Sequence, residues 1–112
     1  IRNSLLTAPA RAARSYAYCS DTIYLPENAN LLQEVDLLYH EATFSNEDER
    51  YCKSTFHSTA SQAAKIAKLS NAKQLMIGHY SSRYNNESIL LKEAQEIFPM
   101  TILAQENMTI SL

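Results

Sequence analysis

Three short apolar runs in this chain each stop on a side chain that can bind a metal or carry a proton. Ser15–Ser20 runs into Asp21, Asp36–Tyr39 into His40-Glu41, and Gln74–Ile77 into Gly78-His79. Helical patterns separate the later runs, and strands that alternate with helices pair in parallel, which gathers their C-terminal ends at one edge of a sheet. The pattern predicts an α/β chain with a layered sheet and a polar cluster at that edge. Composition agrees: one glycine in 112 residues, far below the usual ~7%, suits a chain rich in helix and poor in tight hairpins. With 46% hydrophobic residues and a formal charge of -2, the chain reads as a soluble globular domain or part of one. No apolar run approaches the roughly 20 residues of a membrane helix. The opening Ile1-Arg2-Asn3 reads as the start of a piece of a longer polypeptide.

Ser15–Ser20 is aromatic and alternating, a strand signature, with Asp21 on the pleat face of Ala17 and Cys19. Pro26 opens a predicted short helix to Gln33, with Leu31 and Leu32 buried. Ser45 or Asn46 caps an acidic first turn, Glu47-Asp48-Glu49, which favours a helix start. Thr59 and Gln62 have capping-box spacing. The stripe Ala60, Ala63, Ala64, Ala67 and Leu69 then predicts a helix to about Ser70, closed by Asn71. His57 falls in the loop just before it. Asn85 or Asn86 caps a further helix with the stripe Leu90, Leu91, Ala94, Ile97 and Phe98, ended by Pro99. Thr101–Ala104 and Met108–Leu112 are strand candidates.

Cys19 and Cys52 lack CxxC spacing and read as reduced thiols of a cytoplasmic protein, used as small hydrophobes. Charge is segregated into a basic opening (Arg2, Arg11, Arg14), an acidic block from Glu27 to Glu49, and a basic stretch from Arg50 to Lys73. Such blocks are ordinarily solvated faces.

All three histidines of the chain fall at or beside the predicted sheet edge, a coincidence if each were an isolated core residue. A carboxylate can bridge two divalent ions, and an imidazole supplies a nitrogen donor. Two ions ~3.5–4 Å apart can activate a water and stabilise charge on a phosphate. A further histidine held by a carboxylate can protonate the leaving oxygen. Asp21 and His79 suit the ligand roles; His57 with Glu41 suits the acid and its orienting carboxylate.

Ser20-Asp21-Thr22, His40-Glu41-Ala42-Thr43, His57-Ser58-Thr59 and Gly78-His79-Tyr80-Ser81-Ser82-Arg83-Tyr84 occur in the order and spacing of the ribonuclease Z family, the tRNA 3′-processing endonucleases of the metallo-β-lactamase superfamily. The resemblance runs from about Ser15 to Glu106. It implies the C-terminal half of a metallo-β-lactamase-type αββα sandwich. By resemblance, Asp21 is the aspartate that bridges two zinc ions and His79 is the last histidine ligand. His57 acts near the leaving group and Glu41 supports it. His40 and Thr43 brace the motif from outside the metal's own ligands. Ser81 and Arg83 lie near the substrate, where an arginine can grip a phosphate. Tyr80 and Tyr84 are read as packing residues.

The resemblance also has a gap. The HxHxDH motif that supplies the first metal ligands in this superfamily does not occur in the chain. Residues 1–112 are therefore expected to be the C-terminal part of a single domain, inactive alone and weak in zinc binding. The implied activity of the whole enzyme is zinc-dependent removal of 3′ trailers from precursor tRNA. Metal-activated water attacks the phosphodiester and leaves a tRNA 3′-hydroxyl. The implied whole enzyme is a cytoplasmic homodimer with two zinc ions per subunit and precursor tRNA as its partner. The chain in isolation is expected to self-associate through an uncovered sheet face and edge. Two alternatives stay open at this stage: another phosphodiesterase or hydrolase of the same superfamily, and a non-catalytic interaction module.

Overall fold

A computed structural model describes residues 14–20 and 22–105. Asp21, most of the opening segment and the predicted strand 108–112 lie outside the described residues. Four strands form one sheet: β1 (Tyr16–Cys19), β2 (Leu37–Glu41), β3 (Leu75–Gly78) and β4 (Thr101–Leu103). They lie side by side in chain order and every pairing is parallel. Right-handed crossovers between sequential parallel strands place the connecting helices on one face of the sheet. Those helices are α2 (Ala60–Ser70) between β2 and β3, and α3 (Ser88–Ile97) between β3 and β4. A four-residue helix, α1 (Cys52–Thr55), precedes α2.

The core lies between the sheet and these helices. Leu38, Leu75 and Ile77 meet the alanine face of α2 and Leu90 and Ala94 of α3. Alanines at 60, 63, 64 and 67 are fully buried, and their small side chains let α2 sit close to both sheet and α3. On the other face, Tyr18 stacks on Tyr39 with ring centroids 4.5 Å apart, while Tyr16 and Tyr18 are 42% and 62% exposed. β1 thus alternates as predicted, with Ala17 inward and the tyrosines outward.

The capping box forms as read. Thr59 Oγ1 accepts from the Gln62 amide at 3.0 Å, and Gln62 Oε1 accepts from the Thr59 amide at 2.9 Å. Asn71 closes α2 in the left-handed conformation (φ 55°).

Other local expectations need correction. Pro26–Leu31 is a 3-10 helix, with three residues per turn, so Ala29 and Leu32 share the inner side and Leu31 is 84% exposed. Leu69 does not continue the α2 stripe: at 100° per residue it falls opposite Ala60, and Ile66 is the buried large residue instead. The predicted helix after Ser45 is a 3-10 segment, Asn46–Tyr51, irregular at Asp48, followed by α1; Ser45 holds the N-cap position without a side-chain cap bond. α3 starts after Glu87, and Asn86 contributes by accepting the Ser88 amide at 2.8 Å.

Candidate active site

Parallel register sets the site. Cys19 pairs with His40, His40 with Ile77 and Glu41 with Gly78, so the strand ends share one edge as the alternation predicted. Beyond β2, residues 42–44 act as a seam between two loops. The Ala42 amide donates to Gly78 O at 2.7 Å, the Thr43 amide to Ser58 O at 3.0 Å, and the Ser81 amide to Thr43 O at 3.0 Å. Phe44 and Thr59 form a parallel bridge. The His57 loop and the His79 loop are thereby stitched to opposite sides of one short segment.

Glu41 is the hub. Its side chain is fully buried, and each carboxylate oxygen takes two partners. Oε1 accepts from the Thr22 amide at 2.6 Å and meets His57 Nδ1 at 2.9 Å. Oε2 accepts from Thr43 Oγ1 at 2.6 Å and from the Ser58 amide at 3.1 Å. A buried carboxylate tolerates loss of water when its lone pairs are satisfied in this way. His57 is aimed at it by the left-handed Phe56 (φ 59°) that ends α1 and by the His57 amide bond to Cys52 O.

His79 also has left-handed backbone, φ 61°, a conformation uncommon outside glycine. It turns the chain out of β3 so that the imidazole reaches back to Thr43, with Nδ1 2.9 Å from Thr43 Oγ1. The His57 and His79 rings stack with centroids 5.1 Å apart. Gly78 has ordinary φ; glycine is required there by close approach, because a Cβ would run into the hydroxyl and ring of Tyr39.

Potential ligand atoms of Glu41, His57 and His79 all lie within 4.8 Å of one another. The set fits a divalent ion in part. Both Glu41 oxygens are committed to internal partners, so the nitrogen donors of the set are the imidazoles of His57 and His79, and a tetrahedral site needs more than these. Asp21, the predicted bridging carboxylate, lies outside the described residues.

His40 stands apart from this group. It is 2% exposed, with Nδ1 2.9 Å from Glu41 O. Burial holds its imidazole below the ordinary 6.5, against the opposing pull of Glu41. The folded state therefore keeps the ring neutral where an unfolded chain would take a proton. Stability falls as pH drops through about 6.5 and goes on falling until folded His40 also protonates. Thermal melts of the full-length protein at stepped pH should show this slope, and His40→Asn should flatten it. An unchanged slope in the variant would refute the assignment.

The arginine loop departs from the simple picture of a free cation. Arg83 makes an ion pair with Asp48 at 3.2 Å, and its guanidinium lies over Tyr51 and Phe44 at 4.9 and 5.4 Å from the ring centroids. Tyr84 accepts from the Ser45 amide at 2.7 Å and donates to Asp48 at 2.6 Å. Ser81 Oγ accepts from the Arg83 amide at 3.3 Å. Tyr80 donates to Ile77 O at 2.7 Å. Phe44 stands beside His57, with ring centroids 6.2 Å apart, and Asp48 and Tyr51 hold Arg83 over it; the sequence alone places Asp48 only in a helix start. No local signal marks its partner, which lies 35 residues on.

A sequence profile described as the beta-lactamase superfamily domain matches residues 5–80. The chain belongs to the beta-lactamase superfamily. Within the superfamily it is 54% identical over all 112 residues to a protein of Phocaeicola vulgatus named ribonuclease Z, of which it spans 36%. It is 36% identical to human tRNase Z, short form, with a TM-score of 0.59, over 75% of this chain and 27% of that one. The metallo-β-lactamase fold protein YhfI of Bacillus subtilis aligns over 81% of this chain and 36% of its own, with a TM-score of 0.74 at 24% identity. That last likeness concerns the fold alone, and it agrees with the predicted metallo-β-lactamase architecture. Among the described residues, no helix is long and apolar enough to cross a membrane.

Proposed function

We propose that this chain is the C-terminal part of a ribonuclease Z, a metal-dependent endoribonuclease that removes 3′ trailers from precursor tRNA. The observation that carries the reading is the buried Glu41 carboxylate bonded to His57 Nδ1 at 2.9 Å, with the His79 ring stacked beside His57. Similarity to proteins named ribonuclease Z and tRNase Z supports the substrate class. Because the chain spans 36% of the first of these, the activity is proposed for the longer protein. Residues 1–112 alone are expected to be inactive.

Asp21 and His79 would hold two divalent ions, zinc by family resemblance, with the remaining ligands outside this chain. Such ions, when bound, supply Lewis-acid activation of water and stabilisation of charge on the phosphate. Glu41 holds His57 through Nδ1, so Nε2 is the atom that delivers a proton to the leaving oxygen. His40 and Thr43 brace the edge from behind. Ser81 shapes the arginine loop, and Arg83 meets a substrate phosphate with guanidinium N–H groups that Asp48 does not occupy.

The test is cleavage of a 3′-extended precursor tRNA by the full-length protein. Expected results are a product ending in a 3′-hydroxyl, activity lost to a chelator and restored by zinc, and no activity from residues 1–112 alone. A folded, zinc-loaded full-length protein that leaves precursor tRNA intact would sink the reading.

A further inference from the structure

Thr43 Oγ1 has three neighbours: Glu41 Oε2 at 2.6 Å, His79 Nδ1 at 2.9 Å and His79 O at 3.0 Å. A hydroxyl has one proton to give and two lone pairs with which to accept. The carboxylate oxygen and the carbonyl oxygen compete for the proton. The carboxylate wins that competition, because a charge-assisted O–H···O⁻ bond is the stronger and 2.6 Å lies in its range. Glu41 is the acceptor in this pair: backbone amides of Thr22 and Ser58, which can only donate, sit one on each of its oxygens.

Once that proton is committed, Thr43 can only accept from the imidazole. His79 Nδ1 must then carry the hydrogen, and in a neutral ring the lone pair resides on Nε2. Glu41 consequently governs both stacked histidines, His57 directly and His79 through one hydroxyl. We propose that Thr43 is a positioning residue that fixes His79 in the Nδ1–H tautomer and so presents its Nε2 lone pair to a divalent cation. The tautomer follows from the single proton of the Thr43 hydroxyl; the cation rests on the reading of His79 as a ligand. The general role is the one carboxylates and carbonyls play behind metal-bound histidines, here relayed through a threonine.

The experiment uses the full-length protein, metal-free and labelled with ¹⁵N-histidine, at alkaline pH. Long-range ¹H–¹⁵N spectra should show His79 as Nδ1–H in the wild type and in Thr43→Ser, which keeps the hydroxyl. Thr43→Val should lose that preference. Zinc affinity, measured by competition with a chelating dye, should fall roughly 10–100-fold in Thr43→Val and stay near wild type in Thr43→Ser. A wild-type His79 in the Nε2–H form overturns the proposal, and this spectrum decides even if Thr43→Val fails to fold. So does a folded Thr43→Val with unchanged tautomer and affinity. If the tautomer and affinity behave as stated but precursor tRNA is not cut, the nuclease reading fails and this inference stands.

Discussion

Replacing Glu41 by glutamine in the full-length protein should lower kcat on precursor tRNA by about 10²–10⁴-fold, the usual worth of a positioned acid–base group. KM should change little, because the carboxylate is fully buried and acts through His57 rather than by touching RNA. The carboxamide keeps the shape of the side chain but replaces one acceptor oxygen with a donor. Of the four groups now pointing at Glu41, those on the new amide nitrogen lose their acceptor. A buried donor left unsatisfied costs roughly 1–3 kcal/mol, so a lowered Tm should accompany the kinetic loss. Pairing the change with His57→Ala separates the two effects. If Glu41 works through His57, the kinetic penalties are strongly non-additive while the stability penalty of Glu41→Gln persists. A folded Glu41→Gln enzyme with near-normal kcat would remove the Glu41 carboxylate from the chemistry.

Gly78→Ala should destabilise the protein and disturb the site together. The added Cβ would stand 2.9 Å from two ring carbons of Tyr39 and closer still to its hydroxyl. The ring cannot swing away freely, because Tyr18 is stacked on it at 4.5 Å with only 12° between the planes. Overpacking of this kind costs roughly 1–3 kcal/mol. The strain also reaches the site, since Gly78 O receives the Ala42 amide and the next residue is His79. Calorimetry should therefore show a lower Tm, and zinc affinity should drop with it. Shortening the neighbour with Tyr39→Leu in the Gly78→Ala background should recover part of the Tm. No recovery would mean that the glycine matters for another reason.

Features legible in the sequence share one property: each is contained in a few consecutive residues. The Thr59–Gln62 box, the left-handed stop at Asn71 and the alternation of Tyr16, Ala17 and Tyr18 are local backbone chemistry, and they form as read. Periodicity was weaker evidence wherever the helix type was unknown. Leu31 was misread because a 3-10 turn changes which residues share a face, and Leu69 because the stripe had drifted past solvent.

The His40-Glu41 end of β2 and the His79 end of β3 were recognisable as a candidate site from residue types and order alone. The pairing of His57 with Glu41 was legible too; the links from that pair to the other loops were not. Thr43 meets His79 across 36 residues, Arg83 meets Asp48 across 35, and Glu41 gathers donors from Thr22 to Ser58. Such contacts depend on strand register and on two loops crossing one seam, which no single stretch of chain encodes. The sequence by itself determined which side chains stand at the ends of the strands. Only the tertiary structure decided that the carboxylate holding His57 also reaches His79, through the Thr43 hydroxyl, because hydrogen-bond directions are set by distance and geometry between segments far apart in the chain.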